Sequence, residues 1–126
     1  MLAAMPQSSI GLVLDCTNPA ELARFWADAL ELEIAGEWGA YTVLISPSGS
    51  RPKLLLQRVS EAKSSKNRMH LDIEVADVDA EVARLEGIGA RRAEDSARTE
   101  FGMRWTVLLD PEGNEFRVCD GGQGSC

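Results

Sequence analysis

Several residue types that would mark a function are scarce in this sequence. It contains one histidine, His70, and three cysteines, Cys16, Cys119 and Cys126, at wide spacing and without a CxxC pair. An odd number of cysteines in this arrangement predicts no disulfide framework. We therefore expect a protein of a reducing compartment, the cytoplasm.

Basic residues are outnumbered by acidic ones, and long apolar runs are lacking. The chain has 13 lysines and arginines against 20 aspartates and glutamates, a formal net charge of −7, which repels nucleic-acid phosphates and anionic lipid. The N-terminus has neither the basic nor the apolar region of a signal peptide, and no later apolar run approaches the roughly 20 residues of a membrane span. We expect no nucleic-acid partner and no membrane partner.

What the sequence does have is enough apolar content for one compact domain, with 44% hydrophobic residues over 126 positions. Residues 9–16 alternate between apolar and polar side chains, as a strand does. Asn18 and Pro19 are typical of a helix start, and the helix they predict carries an apolar stripe and extends to about Glu31. Three further strands are predicted at residues 32–37, 40–46 and 53–59.

The second half repeats this order of elements. A strand at residues 69–75 precedes a helix from Asp77 to about Glu86, and three strands follow at residues 90–94, 104–109 and 115–119. An offset of 59 residues places Gly11 opposite His70. Gln57 lies 46 positions after Gly11 and Arg117 lies 47 positions after His70, so the two are predicted to occupy matching places on the last strands. The predicted organisation is a single domain over residues 1–126, made of module one at 8–60, a connector at 61–67, module two at 68–120 and a flexible tail at 121–126.

Three stretches resemble a known superfamily. They are LDCTNPAELARFW at residues 14–26, NRMHLDIEV at 67–75 and WTVLLDPEGNEF at 105–116. In their order and spacing they resemble the vicinal oxygen chelate superfamily, the glyoxalase/bleomycin-resistance/dioxygenase proteins, and in particular its glyoxalase-like domain branch. The resemblance implies an α+β fold of two βαβββ modules forming an open, barrel-like cleft with the helices outside. It also implies a homodimer, with the cleft built either within one chain or across two.

The same resemblance indicates where a metal would bind. In the superfamily's metal enzymes the first and last strands of each module supply ligands, and the corresponding positions here are Gly11, Gln57, His70 and Arg117. Glycine has no ligand atom and arginine is permanently cationic. We therefore expect no cofactor. The alternative is a divalent metal held by His70 and Glu115, with Asp72 as a further substitute.

The candidate site residues share a polar or aromatic side chain on the face expected to line the cleft. Structural roles compete with ligand binding for several of them. His70 could hydrogen-bond to a neighbour such as Asp72 or Gln57, and Arg117 could pair with Asp15, Asp72 or Glu115. The predicted ligand-binding residues are Gln57, His70, Asp72, Arg117, Trp105 and Tyr41.

Three functions follow from these residues and from the resemblance. The first is metal-independent binding of a small organic ligand in the cleft between the modules. The second is a divalent-metal-dependent enzyme of the lyase, isomerase or dioxygenase type. The third is catalysis without metal, in which His70 is a candidate acid or base and Arg117 stabilises an oxyanion. The sequence leaves open whether the protein is an enzyme.

Overall fold

The computed structural model describes residues 9–100 and 102–120. The chain divides between Glu61 and Ala62 into two compact units. Each unit has one helix and one four-stranded sheet, and the order strand, helix, strand, strand, strand occurs in both. The predicted α+β class and the paired βαβββ arrangement are confirmed.

The first unit is built on a mixed sheet with the strand order β1-β4-β3-β2. Strand β1 pairs with β4 in parallel, and the remaining neighbours are antiparallel. A parallel pair needs a long crossover connection, which the helix and the two intervening strands provide here. The elements are β1 (Gly11–Cys16), α1 (Pro19–Leu30), β2 (Glu33–Trp38), β3 (Tyr41–Ile45) and β4 (Lys53–Arg58).

Helix α1 begins and ends through identifiable contacts. The Asn18 side chain accepts a hydrogen bond from the Glu21 backbone N–H and donates one to the Glu21 carboxylate, and Pro19 occupies the first helical position. At the other end Glu31 adopts the left-handed conformation, with φ 54°, and its N–H donates to the Ala27 carbonyl. The predicted helix start is therefore confirmed, and the end is marked by a residue other than glycine.

The core of the first unit lies between α1 and the inner face of the sheet. The rings of Phe25 and Trp26 meet edge to face, with centroids 5.0 Å apart, a favoured arrangement for aromatic pairs. The buried residues that form this core on the helix and on the strands are Leu22, Ala23, Phe25, Trp26, Ala29, Thr42, Leu44, Leu54 and Leu56.

The second unit has the sheet order β5-β8-β7-β6, again with one parallel pair, β5 with β8. Its core joins Val78, Val82 and Leu85 of the helix to Leu108, Phe116 and Val118 of the sheet, all buried. The elements are β5 (Asp72–Glu74), α2 (Val78–Gly87), β6 (Arg91–Glu100), β7 (Met103–Leu109) and β8 (Glu115–Cys119).

Two strands of the second unit differ from prediction. Strand β5 is three residues long, shorter than the predicted 69–75, and β6 extends to Glu100, well beyond the predicted end at residue 94. Residues 95–100 are mostly polar and lack alternation, so side-chain pattern gives no strand signal there. The backbone of this stretch nevertheless pairs with β7, beyond an irregularity between Arg92 and Ala97.

The two cysteines in the described part of the chain differ in their bonding. Cys119 is disulfide-bonded, whereas Cys16 is a buried thiol that donates to the Gln57 carbonyl oxygen at 3.7 Å. An odd count at wide spacing argues against a framework of several bridges, but it does not exclude one bridge. Within the described part of the chain, no helix has the length and apolar character needed to cross a membrane.

Candidate functional site

The centre of the candidate site is an ion pair between the two parallel strands of the second unit. Asp72 on β5 and Arg117 on β8 are register partners. The guanidinium donates twice to the carboxylate, from Nε to Oδ1 at 3.0 Å and from Nη2 to Oδ2 at 2.6 Å. The side chains are 22% and 25% exposed, so this bidentate pair is partly withdrawn from water and more specific than an ordinary surface ion pair.

The ion pair fixes the charge of both partners. Burial alone would raise the pKa of the Asp72 carboxyl, but the hydrogen bonds and charge of Arg117, together with His70, bring it below its ordinary value. The hydrogen bond to Asp72 in turn raises the pKa of Arg117. Asp72 is therefore an anion, and an acceptor only, at neutral pH.

His70 lies just before β5 and contacts the same carboxylate. Its Nδ1 is 2.8 Å from Oδ1 of Asp72, and its side chain is 31% exposed. Because an ionised carboxylate only accepts, Nδ1 must carry the proton of this hydrogen bond. The other nitrogen of the neutral ring, Nε2, is then an acceptor. The predicted contact between His70 and Asp72 is present.

Trp105 on β7 completes the group. The guanidinium carbon of Arg117 lies 5.4 Å from the centroid of the indole ring, a cation–π contact. Trp105 is half-buried, so part of its surface is accessible beside the ion pair. His70, Asp72, Arg117 and Trp105 thus form one continuous set of contacts, which we call the Arg117 cluster.

Glu115 has a different role. Its carboxylate accepts hydrogen bonds from Nζ of Lys63 at 3.0 Å and from the backbone N–H of Asn67 at 2.8 Å, while its own N–H donates to the Asn67 side chain. Burial acts to raise the pKa of Glu115, but the hydrogen bonds from Asn67 and Lys63 lower it overall. Glu115 therefore attaches the segment before His70 to the start of β8, a role that the sequence did not predict.

The two predicted residues of the first unit lie side by side in its own sheet. Tyr41 on β3 is the register partner of Gln57 on β4. Asp15 on β1 pairs with Gln57 from the other side, and Trp38 pairs with Tyr41. The indole of Trp38 lies over Gly36, where an added Cβ would come within 2.9 Å of the ring. The six predicted ligand-binding residues thus form two groups, Gln57 with Tyr41 and the other four in the Arg117 cluster.

The internal repeat can be measured from the helix starts. The N-cap residues Asn18 and Asp77 are 59 positions apart, which agrees with the offset read from the sequence. By this offset Asp72 of β5 corresponds to Val13 of β1.

On the last strands the offset is different. Asp72 pairs with Arg117, whereas Val13 pairs with Leu55. Leu55 therefore occupies the place of Arg117, 62 positions earlier. The prediction that Gln57 matches Arg117 is wrong by two residues. An apolar side chain stands in the first unit where the second has its guanidinium.

The donor atoms do not fit a divalent cation, which normally takes three or four protein ligands. Asp72 is engaged by Arg117 and His70, and Glu115 holds the connector. Gly11 offers no ligand atom, and the guanidinium would repel a metal ion. Among residues 9–100 and 102–120, no group of three or more histidines, cysteines and carboxylates is placed to bind a metal.

Comparison with known proteins decides the family. The model of the glyoxalase-like domain family matches residues 11–119. The chain belongs to the glyoxalase-like domain family. No curated protein matches it.

Solved structures with the same fold share little sequence with this glyoxalase-like domain. A glyoxalase/bleomycin resistance protein/dioxygenase family enzyme from Burkholderia phytofirmans is 18% identical, with a TM-score of 0.71 over 86% of this chain and 94% of that one. The fosfomycin resistance protein FosX from Listeria monocytogenes, in complex with Mn(II) and sulfate, is 12% identical, with a TM-score of 0.73 over 94% of each chain. At these identities the likeness shows the fold, that of the vicinal oxygen chelate superfamily.

Proposed function

We propose that this glyoxalase-like domain binds a small organic ligand at the Arg117 cluster without the help of a metal ion. The observation that carries the proposal is that Asp72 joins Arg117 and His70 at one carboxylate. This contact orients two polar groups beside a half-buried indole. A few oriented polar groups next to aromatic surface are typical of small-molecule sites.

The unused hydrogen-bonding groups of the cluster support this reading. Arg117 uses Nε and Nη2 on Asp72, and its Nη1 has no acceptor among the residues that the structure describes. Nε2 of His70 likewise has no partner in the described part of the chain, since the contact with Asp72 uses Nδ1. Three N–H groups of the guanidinium, two on Nη1 and one on Nη2, and one acceptor, Nε2 of the neutral imidazole, thus remain for a ligand.

The metal-independent form is favoured over the metal-dependent alternative by the chemistry of the donors. FosX from Listeria monocytogenes was solved with Mn(II), but here the candidate ligands already satisfy one another or the connector. A cation at Nε2 of His70 would lie next to a guanidinium, with Asp72 already neutralised by that guanidinium. A lyase, isomerase or dioxygenase acting through a metal would need these contacts to rearrange.

A second candidate function is acid–base catalysis without metal, and the contact between His70 and Asp72 favours it. A carboxylate on Nδ1 leaves Nε2 as a base and stabilises the imidazolium that forms when Nε2 takes a proton. Nη1 of Arg117 could stabilise negative charge developing on a substrate oxygen. Turnover of a bound ligand that is lost in His70→Gln, with binding retained, would establish this function over simple binding.

The binding proposal is tested by a thermal-shift screen with small aromatic alcohols, amides and carboxylic acids, followed by calorimetric titration of each hit. A ligand of this site raises the unfolding midpoint, and Arg117→Gln should weaken it about tenfold, the equivalent of one charged hydrogen bond. The matched control is Arg104→Gln, because Arg104 is an exposed arginine that also pairs with an aspartate, Asp79. The proposal fails if no compound raises the midpoint, or if both variants weaken binding alike.

A titration with Mn²⁺ distinguishes the metal-dependent alternative from metal-free binding. A stoichiometric site in the wild-type protein that His70→Ala abolishes would overturn the metal-free proposal.

From the family resemblance we also propose that the protein pairs as a homodimer. Sedimentation equilibrium that returns the monomer mass of 13.7 kDa would contradict this.

A further inference from the structure

Arg117 keeps one complete edge of its guanidinium for a ligand. Asp72 takes Nε and one N–H of Nη2, which leaves the second N–H of Nη2 and both N–H groups of Nη1. None of these three has an acceptor in residues 9–100 or 102–120. One N–H on each nitrogen points along the end of the guanidinium, and this parallel pair matches the two oxygens of a carboxylate.

The guanidinium is held in place before a ligand arrives. Its two hydrogen bonds to Asp72 fix its plane, and the Trp105 ring centroid lies 5.4 Å from its central carbon. A ligand that uses the remaining edge therefore orders the side chain little further, which favours affinity. His70 contacts Oδ1, the oxygen that Nε binds, whereas the free edge begins at Nη2 on the Oδ2 side. The unprotonated nitrogen of His70 is thus at the other end of the ion pair from an incoming carboxylate.

An apolar strip of β7 lies beside this edge. Val107 is the register partner of Arg117, and partners in an antiparallel pair project on the same face of the sheet. Alternation places Trp105 and Leu109 on that face as well. All three are half-buried, so part of each side chain remains for a ligand. We call Trp105, Val107 and Leu109 the β7 strip.

The charges on this face do not repel an anion at short range. The two ion pairs, at Arg117 and at Glu115, are each neutral. The exposed Glu74 of β5 adds one negative charge. Arg91 of β6, also exposed, adds one positive charge as the register partner of Leu109. The chain as a whole carries −7, but at physiological ionic strength this charge is screened beyond about 8 Å.

We propose that the ligand is an amphipathic carboxylic acid, whose carboxylate accepts hydrogen bonds from Nη1 and Nη2 of Arg117 while its apolar body lies on the β7 strip. This proposal rests on the proposed binding function and narrows it to a chemical class. Arg117 is the residue that contacts the ligand. Asp72 is a positioning residue, because it fixes the orientation of the guanidinium.

The test compares three probes: 2-naphthoate, its neutral counterpart 2-naphthamide, and acetate. Each is titrated at pH 7.5 and followed through the backbone amide resonances of β7 and β8, a readout that every variant below retains. 2-Naphthoate should bind about tenfold more tightly than 2-naphthamide, the difference expected for a hydrogen bond to a charged group. It should also bind at least about tenfold more tightly than acetate, which lacks the apolar body.

Two substitutions of Arg117 localise the preference for the acid over the amide. Arg117→Gln should abolish it. Arg117→Lys keeps the charge but loses the two parallel N–H groups, so the preference should fall about threefold or more. Arg104→Gln is the control and should keep the preference, because Arg104 is an exposed arginine that pairs with Asp79. Thermal unfolding of each variant verifies that it is folded.

Three results would overturn the proposal: equal binding of 2-naphthoate and 2-naphthamide, equal binding of 2-naphthoate and acetate, or a wild-type preference in either Arg117 variant. The binding function survives them if another compound from the thermal-shift screen binds in a way that depends on Arg117. If no probe shifts the resonances at millimolar concentration and no compound of the screen binds, the proposal and the binding function both fail.

Discussion

The Nδ1 atom of His70 lies 2.8 Å from Oδ1 of Asp72, and the same oxygen accepts a hydrogen bond from Nε of Arg117. One carboxylate oxygen therefore orients both an imidazole and a guanidinium. The acceptor-only character of that oxygen decides which nitrogen of the neutral histidine carries its proton. The proposed role of Nε2 of His70 as a hydrogen-bond acceptor depends on this assignment.

The tautomer can be observed directly. For the neutral form of the imidazole, we expect ¹⁵N NMR to show His70 protonated at Nδ1 and unprotonated at Nε2. The signals can be assigned without ambiguity because the chain has one histidine. In Asp72→Asn the amide can donate as well as accept, so the preference should weaken and a mixture of tautomers should appear. A wild-type ring protonated at Nε2 would contradict the assignment.

Asp72 should also contribute to stability. Asp72→Asn removes the charge that pairs with Arg117, and we expect unfolding free energy to fall by about 1–2 kcal/mol at neutral pH, in the range for a hydrogen-bonded charged group. Asp79→Asn is the matched control, because Asp79 pairs with Arg104 at an exposed site. Its cost should be clearly smaller, because both side chains of that pair are exposed. Urea denaturation measures both values.

This contribution should depend on pH in a definite direction. The pKa of Asp72 is lower in the folded protein than in the unfolded chain. The stabilisation is therefore complete above the ordinary aspartate pKa of about 4 and is lost as pH falls through the lower, folded value. Between pH 5 and 2 the wild type should lose more stability than Asp72→Asn. Parallel pH profiles for the two proteins would refute the link.

Glu115 should control the connector in front of His70. Glu115→Ala removes the acceptor for Lys63 and for the Asn67 backbone, so the backbone of this segment should open more often and fit the trypsin active site more readily. We expect cleavage at residues 63–68 to accelerate several-fold. Glu86→Ala is the control, since Glu86 pairs with Arg92 at the surface. Equal cleavage rates in the two variants would show that Glu115 does not hold this segment.

The turn before β8 is another site where a carboxylate holds the backbone in place. Asp110 is fully buried, and its side chain accepts from the backbone N–H groups of Glu112 and Asn114 and from the Asn114 amide. Asp110→Ala removes the acceptor of these buried hydrogen bonds, and we expect a loss of about 3 kcal/mol in unfolding free energy. The exposed neighbour provides the control: Pro111→Ala should cost less than about 1 kcal/mol. Thermal denaturation distinguishes the two.

The sequence predicted most where a local rule operates. The start of α1 followed from Asn18 and Pro19, because a cap and a first-turn proline act within a few residues. Strand β8 was predicted with its observed bounds from its alternation and the turn before it. The pairing of Arg117 with Asp72 was one of three possibilities, since alternation shows which side chains share a face but not which of them meet.

The errors have the same physical origin. A shift of two residues leaves every side chain on its own face of the sheet, so alternation could not separate Leu55 from Gln57 as the counterpart of Arg117. The far half of β6 is recruited by backbone pairing with β7, which side-chain pattern does not report. The contact between Glu115 and Asn67 joins positions 48 residues apart. No local pattern in the sequence predicts a contact between two particular residues so far apart in the chain.

The different offsets of the two repeats have a practical consequence for protein engineering. A copy of the Arg117 cluster in the first unit would require histidine, aspartate and arginine in place of Gly11, Val13 and Leu55, since Val13 pairs with Leu55 as Asp72 pairs with Arg117. An arginine introduced at Gln57 would instead face Asp15 across the strands. A design based on the predicted match between Gln57 and Arg117 would therefore place the guanidinium two residues too far along β4.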